Sequence, residues 1–323
     1  MEFQKPNVVV SRCIEFDSCR YNGLKISDKF VEKLVDYVNF HPVCPEVEIG
    51  LGVPREPIRI VVDDGRKILY QPATERILTE EMEEFTENFL GSLDKIDGFI
   101  LKNRSPSCGI KDVKIYHGLK NLSGVSRGSG FFGGAVIERF DGLAIEDEGR
   151  LNNFLIREHF LTKLYTMRSF RQVKEEKNNK AKINKLIEFH TKNKFLFMGY
   201  NQNEMRTMGN IVANHEKEDI EIIIKNYGEH LKKVLLNVPE CCSMINSIQH
   251  AFGRVSKDLK KDEKAFFTGI VEQYRDERIP LSTIIHLLKS YAIRFNDDYL
   301  LSQSFLIPYP EGLVEMIRQG KRH

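Results

Sequence analysis

The chain has 323 residues, 41% of them hydrophobic and 29% charged, and a formal net charge of +2, a composition that excludes a disordered chain and leaves room for two ordinary domains. No apolar run approaches the roughly 20 residues that cross a bilayer. The opening MEFQKPNVVV has neither the basic start nor the apolar stretch of a secretory leader, so the expected location is the cytoplasm, where thiols stay reduced and no membrane is involved.

In chain order, NVVVS (7–11) reads as a buried strand. SDKFVEKLVDYVNF reads as a helix, with Ser27 and Asp28 as cap candidates and Phe30, Leu34 and Val38 at helical spacing. IRIVVDDGRKILYQ reads as a hairpin turning at Asp64-Gly65. TEEMEEFTENFLGSL is a helix with an acidic first turn, and DGFILKN is the next strand. Strands alternating with helices imply an α/β domain with a parallel, doubly wound, Rossmann-like sheet. Beyond about residue 150 the strand signal stops, and the remainder reads as an all-α domain. Its helices are LNNFLIREHFLTKLYTMRSFRQV, AKINKLIEFHTKNKFLFMGY, EDIEIIIKNYGEHLKKVLLNV, CCSMINSIQHAFGRV, KDEKAFFTGIVEQYRDE and LSTIIHLLKSYAIRF. The charged, glycine-containing break between Asp147 and Leu151 sets expected domains of 1–148 and 149–323. They differ in charge: residues 1–150 carry 20 Lys/Arg against 25 Asp/Glu, the remainder 28 against 21.

Cys13, Cys19, Cys44 and Cys108 lie in the first domain. Cys13 follows the first strand, Cys44 a short apolar step after the first helix, and Cys108 the strand FILKN. In an open α/β sheet, loops after the carboxyl ends of parallel strands converge on one crevice. Soft thiolates gathered there suit zinc, Cu(I) or an iron–sulfur cluster. The close C-x2-C pairs of structural zinc and the runs of ferredoxins are both absent, so an open cluster with three protein ligands is compatible with the spacing. The plainer alternative makes Cys13 and Cys44 small buried hydrophobes and Cys108 incidental. Polar company stands beside them: Glu46 in CPE, Ser105 and Ser107 in SPSC, Arg20 and Tyr21 in CRYNG. Glu46 is either a general acid/base or a turn carboxylate. Gly50, Gly52 and PREP read equally as loop punctuation, and GSGFFGG is weak evidence for phosphate binding.

Together, SRCIEFDSCRYNG, PVCPEVEIGLGVPREP, ILKNRSPSCG and GVSRGSGFFGGAVIE resemble the thiouracil desulfidase family, formerly domain of unknown function 523, over about residues 6–148. FHTKNKFLFMGYN, NSIQHAFGRVSKDL and YRDERIPLSTIIHLLKSYAIRFNDDYLLSQSFLIPYP resemble the helical domain formerly called domain of unknown function 1722. The arrangement is similar to two-domain desulfidases that act on 4-thiouridine in tRNA. It departs from short free-standing members at EVEIGLGVPREP, where they tend to have Gly-Gly-Leu-Pro, and this leaves the pocket shape open.

What the resemblance implies is a [4Fe-4S] cluster held by Cys13, Cys44 and Cys108, with one iron open to the substrate sulfur. Cys19 is either a ligand in place of one of these or a nearby thiol. Glu46 and Ser105 are the implied catalytic pair, Glu46 activating water and Ser105 positioning the water or the base. The reaction would be a non-redox hydrolysis of a thiolated pyrimidine, as tRNA, nucleoside or free base, releasing sulfide. Two other classes compete: a cluster-bearing regulatory or sensing module that binds nucleic acid without turnover, and a zinc-stabilised RNA-binding protein.

In the second half, Lys163 to Lys194 contains ten Lys/Arg and three acids. On helices these would form a basic face interleaved with Tyr165, Phe170 and Phe195, suited to a phosphate backbone; the alternative is an ordinary solvated surface. His190, His215, His230, His250 and His286 form no short pair at metal spacing, and His190 and His250 read as hydrogen-bonded interface residues. Cys241 and Cys242 read as buried filler, and Phe195 to Met198 as core.

Overall fold

The computed structural model describes residues 3–118, 125–215 and 217–314. Gly124 of GVSRGSGFFGGAVIE and both chain ends fall outside them. The chain forms two compact units. One is Lys5–Phe160; the other begins at Leu161 and takes in Phe3 and Gln4, so the division falls within the helix that follows the charged break.

The first unit runs β1 (Asn7–Ser11), α1 (Lys29–Leu34), β2 (Asn39–Val43), α2 (Pro45–Glu48), β3 (Arg59–Asp63), β4 (Arg66–Gln71), β5 (Arg76–Ile77), α3 (Thr79–Ser92), β6 (Gly98–Leu101), β7 (Val113–His117), β8 (Val125–Gly128), α4 (Phe131–Arg139) and β9 (Ala144–Asp147). A parallel sheet has the order β2-β1-β6-β9. Val8, Val9 and Val10 are fully buried, as a parallel strand covered on both faces requires. Asp28 caps α1, its Oδ1 accepting the N–H groups of Phe30 and Val31 at 3.0 Å. The helix is shorter than its pattern predicts, because Asn39 pairs with Pro6 O at 2.8 Å and Asn39–Val43 joins β1 in register. Pro42 fits there because β2 is an edge strand.

The sheet β2-β1-β6-β9 is the expected parallel sheet; the other strands form a second sheet, β5-β4-β3-β7-β8, in which only β3 and β7 run parallel. The reason is local. Asp64 and Gly65 have φ of +45° and +78°, which turns β3 directly back into an antiparallel β4. Helix α3 serves two cores: Leu90 packs with Val9, Phe99 and Phe132, whereas Met82 packs with Ile60, Leu69 and Ile115.

The second unit is helical: α5 (Phe154–Glu175, which begins in the first unit), α6 (Asn179–Lys192), α7 (Lys194–Tyr200), α8 (Gln202–Ala213), α9 (Ile220–Val234), α10 (Cys241–Val255), α11 (Lys261–Arg275), α12 (Leu281–Arg294) and α13 (Asp298–Leu301). Among the described residues no helix is long and apolar enough to cross a membrane. The stretch read as one helix over 181–200 breaks at buried Asn193, whose side chain donates to Phe189 O at 2.8 Å and accepts from Ser304 Oγ at 2.6 Å. Helix α8 escaped sequence reading because it buries only Met205 and Met208.

Three surface expectations are corrected here. Tyr165, Phe170 and Phe195 are buried, so these three do not interleave with the basic helix faces; Phe170 instead packs on Phe189 and Tyr227 with ring centroids 5.6 and 5.5 Å apart. The basic residues also meet acids, Arg171 with Glu175 (2.9 Å), Lys182 with Glu221 (2.6 Å), Lys185 with Glu176 (2.6 Å) and Lys192 with Glu188 (2.5 Å). Cys242 is exposed and Cys241 half-buried at the start of α10, so they are not core filler, and His250 is exposed on the same helix. His190 shares a hydrogen bond with Tyr227 OH (3.1 Å), and Phe195 to Met198 are buried.

Candidate active site

Strands β2, β1 and β6 are adjacent and parallel, so the loops after their carboxyl ends share one edge of the sheet. Cys44 follows β2 as the N-cap of α2, Cys13 lies just past β1, and Cys108 lies in the loop after β6. All three are buried, and so is Cys19. Cys19 is within hydrogen-bonding reach of both Cys13 and Cys44, and the Cys44 thiol also meets the Cys19 carbonyl at 3.9 Å. Cys108 hydrogen bonds with Ser11 and senses the charge of Cys44, Cys19 and Glu46. The four expected thiols thus come together, with Cys19 linked to both Cys13 and Cys44.

Their chemistry is compatible with a ligand set. The hydrogen bond with Cys13 raises the Cys19 thiol, the bond with Cys19 and then burial push Cys44 well up, and burial pushes Cys108 up. Without a positive centre these sulfurs stay neutral; a bound metal would ionise them. Among the described residues no three His, Cys, Asp or Glu converge on one point as a single-ion site requires. Ligands of a multi-iron cluster each hold a different iron and surround a volume instead. The buried Arg12 Nε, which has no hydrogen-bond partner, belongs to a guanidinium that senses Cys44 and Cys19, as fits an anionic sulfur-rich group. Soft buried donors and this unmatched donor fit an iron–sulfur cluster.

Glu46 stands in the first turn of α2, two residues past Cys44. Its Oε1 accepts from Ser107 Oγ at 2.8 Å, and its Oε2 from Arg55 Nε at 2.8 Å. The Arg55 side chain is only 4% exposed. Glu48, on the same short helix, pairs with Arg12 at 2.7 Å. Ser105 takes a different place: its Oγ accepts the N–H of Ser107 (3.2 Å) and of Cys108 (3.1 Å), fixing the turn that carries both. Arg55 and Ser107 were missed as partners of Glu46, Arg55 because PREP reads as a turn, Ser107 because adjacent serines look alike in sequence.

GSGFFGG also acquires a role. The N–H groups that open α4 donate to the SPSCG turn: Gly130 to Gly109 O (2.7 Å), Phe131 to Pro106 O (3.1 Å) and Gly133 to Ser107 O (2.9 Å). These donors, which a phosphate would need, are already paired. A Cβ on Gly130 would sit 2.5 Å from Ser107 O, and one on Gly133 would overlap the carbonyls of Cys108 and Gly109. The glycines let α4 press against the cysteine turn.

Fold and site define an α/β protein with four buried thiols at the carboxyl edge of a parallel sheet, a partly buried carboxylate beside them, and a helical unit following. Residues 8–148 match the family model described as 2-thiouracil desulfurase, and residues 194–310 match the one described as protein of unknown function DUF1722. The chain belongs to the 2-thiouracil desulfurase family and carries a DUF1722 region after it. It is 32% identical over 157 residues to the uncharacterized protein YbbK of Bacillus subtilis, covering 46% of this chain and 99% of YbbK. It is 21% identical over 126 residues to the uncharacterized protein YbgA of Escherichia coli, covering 39% of this chain and 75% of YbgA. A solved [4Fe-4S]-dependent thiouracil desulfidase, TudS, aligns at 26% identity and a TM-score of 0.37, over 46% of this chain and 94% of TudS.

Proposed function

We propose that this protein hydrolyses the thiocarbonyl of a thiolated pyrimidine, replacing sulfur with a water oxygen and releasing sulfide. The observation that carries this reading is a carboxylate, Glu46, held at both oxygens beside four buried thiols. Membership of the 2-thiouracil desulfurase family supports the substrate class. Cys13, Cys44 and Cys108 would hold a [4Fe-4S] cluster, whose open iron supplies Lewis acidity toward a thiocarbonyl sulfur.

The chain's own residues do the rest. Glu46 takes the proton of the attacking water, its carboxylate kept in one orientation by Ser107 and Arg55. Ser105 uses its oxygen to hold the cysteine turn, which leaves its hydroxyl hydrogen as the group that can steady the water. The burial of the four thiols keeps bulk water away from the reacting sulfur.

Within this class the substrate is 4-thiouridine in tRNA. The surplus of basic residues after position 150 and the helical region fused to the desulfurase region support that assignment. Backbone contacts then come from lysines and arginines alone, because the candidate stacking aromatics are buried. Anaerobically reconstituted protein is incubated with 4-thiouridine-containing tRNA and, separately, with free 2- and 4-thiouracil, following loss of thiocarbonyl absorbance. Faster turnover on tRNA supports the assignment; turnover on free bases alone replaces it, and a loaded cluster without turnover favours a sensing module.

A further inference from the structure

The geometry points to Arg55 as the positioning residue that ties Glu46, the Cys19 loop and Cys44 into one unit, an inference that rests on the proposed desulfuration. A guanidinium has five N–H donors, and the contacts of Arg55 account for all of them. Nε and Nη2 both meet Glu46 Oε2 at 2.8 Å. Nη1 donates to the carbonyls of Cys19 and Gly52, each at 2.9 Å, and Nη2 also lies 4.0 Å from Cys44 Sγ. The Arg55 backbone N–H donates to Tyr21 O at 2.8 Å. One side chain, 4% exposed, therefore joins the loop after β1, the start of α2 and its own loop.

Position matters as much as charge. With Oε2 held by the fork and Oε1 facing Ser107, the carboxylate plane is fixed, and the base can meet water in one direction only. A lysine would restore the charge but has three donors on a flexible stem and cannot bridge Glu46, Cys19 O and Gly52 O together. Arg55 does not touch substrate in this scheme; it acts through Glu46 and through the order of the cysteine loops.

The test uses the full chain, anaerobically reconstituted, as wild type, R55K, R55Q, E46Q and R55Q/E46Q. The expected result is wild-type iron content in the R55 variants, a kcat about 100-fold lower with KM within about threefold, and no further tenfold loss when R55Q is added to E46Q. A wild-type kcat in R55Q, or losses from R55Q and E46Q that multiply, overturns the role. If wild-type protein turns over no thiopyrimidine, the proposed function falls and Arg55 is judged separately, by the rate at which a chelator strips iron. Stripping about tenfold faster in R55Q than in wild type supports the tie between the loops, and an unchanged rate overturns it.

Discussion

Ser107 donates its hydroxyl to Glu46 Oε1 at 2.8 Å, joining a loop to a helix start 61 positions away in sequence. That bond links the carboxylate after Cys44 to the residue before Cys108. It makes the base and the cysteine set parts of one construction.

Glu46→Gln keeps the size and hydrogen-bonding reach of the side chain but removes its basicity. The variant should fold and load iron as wild type does, while kcat falls by about 100- to 10,000-fold. Iron content and turnover on a thiopyrimidine check this together. Near-normal turnover would remove Glu46 from the base role.

The two serines should separate. Ser107→Ala releases one carboxylate oxygen and should lower kcat roughly tenfold at unchanged iron content. Ser105→Ala leaves the N–H groups of Ser107 and Cys108 without their acceptor. It should cost about 1–3 kcal/mol in urea unfolding and lower iron loading as well as kcat.

Glycines test the packing of α4 on the cysteine turn. Gly130→Ala would place a Cβ 2.5 Å from Ser107 O, against backbone that cannot swing aside. It should destabilise the protein by about 1–3 kcal/mol and impair iron loading. Gly253→Ala on α10 meets nothing within 4 Å and should instead stabilise by roughly 0.5–1 kcal/mol. Denaturation midpoints of the two variants should move in opposite directions.

His190 sets a pH dependence. Burial, aided by Lys194, lowers its pKa from 6.5 to about 4. Below about pH 6.5 the unfolded chain binds a proton that the folded chain refuses until about pH 4, so stability falls across that window as pH drops. The loss is on the order of 3 kcal/mol at most. His190→Gln should flatten the fall relative to wild type in urea titrations at pH 7 and 4.5; parallel slopes would contradict the assignment.

The cysteine placement was legible because a rule about carboxyl edges converts loop positions into proximity, whatever the sequence distance. The helix start at Asp28 and the turn at Asp64-Gly65 were legible for similar reasons, since each is a local signal with a local cause. Strand β2 was not, because Pro42 and the preceding amphipathic run imitate a helix end, and only pairing with β1 decides the matter. Arg55 and Ser107 were hidden for another reason. Their importance lies in where their side chains end, and spacing alone does not carry that. The pairing of the basic run from Lys163 to Lys194 was only partly legible, since Glu175, Glu176 and Glu188 lie within it but Glu221, the partner of Lys182, stands on a helix far along the chain.

The most direct test is turnover of 4-thiouracil by the anaerobically reconstituted protein in water enriched in oxygen-18. Hydrolysis at the thiocarbonyl requires one sulfide released per uracil formed, with the heavy oxygen at the former sulfur position. Equimolar sulfide and labelled uracil is the expected result. Unlabelled uracil, or no turnover of either 4-thiouracil or 4-thiouridine-containing tRNA by a protein with a full iron complement, would contradict the account.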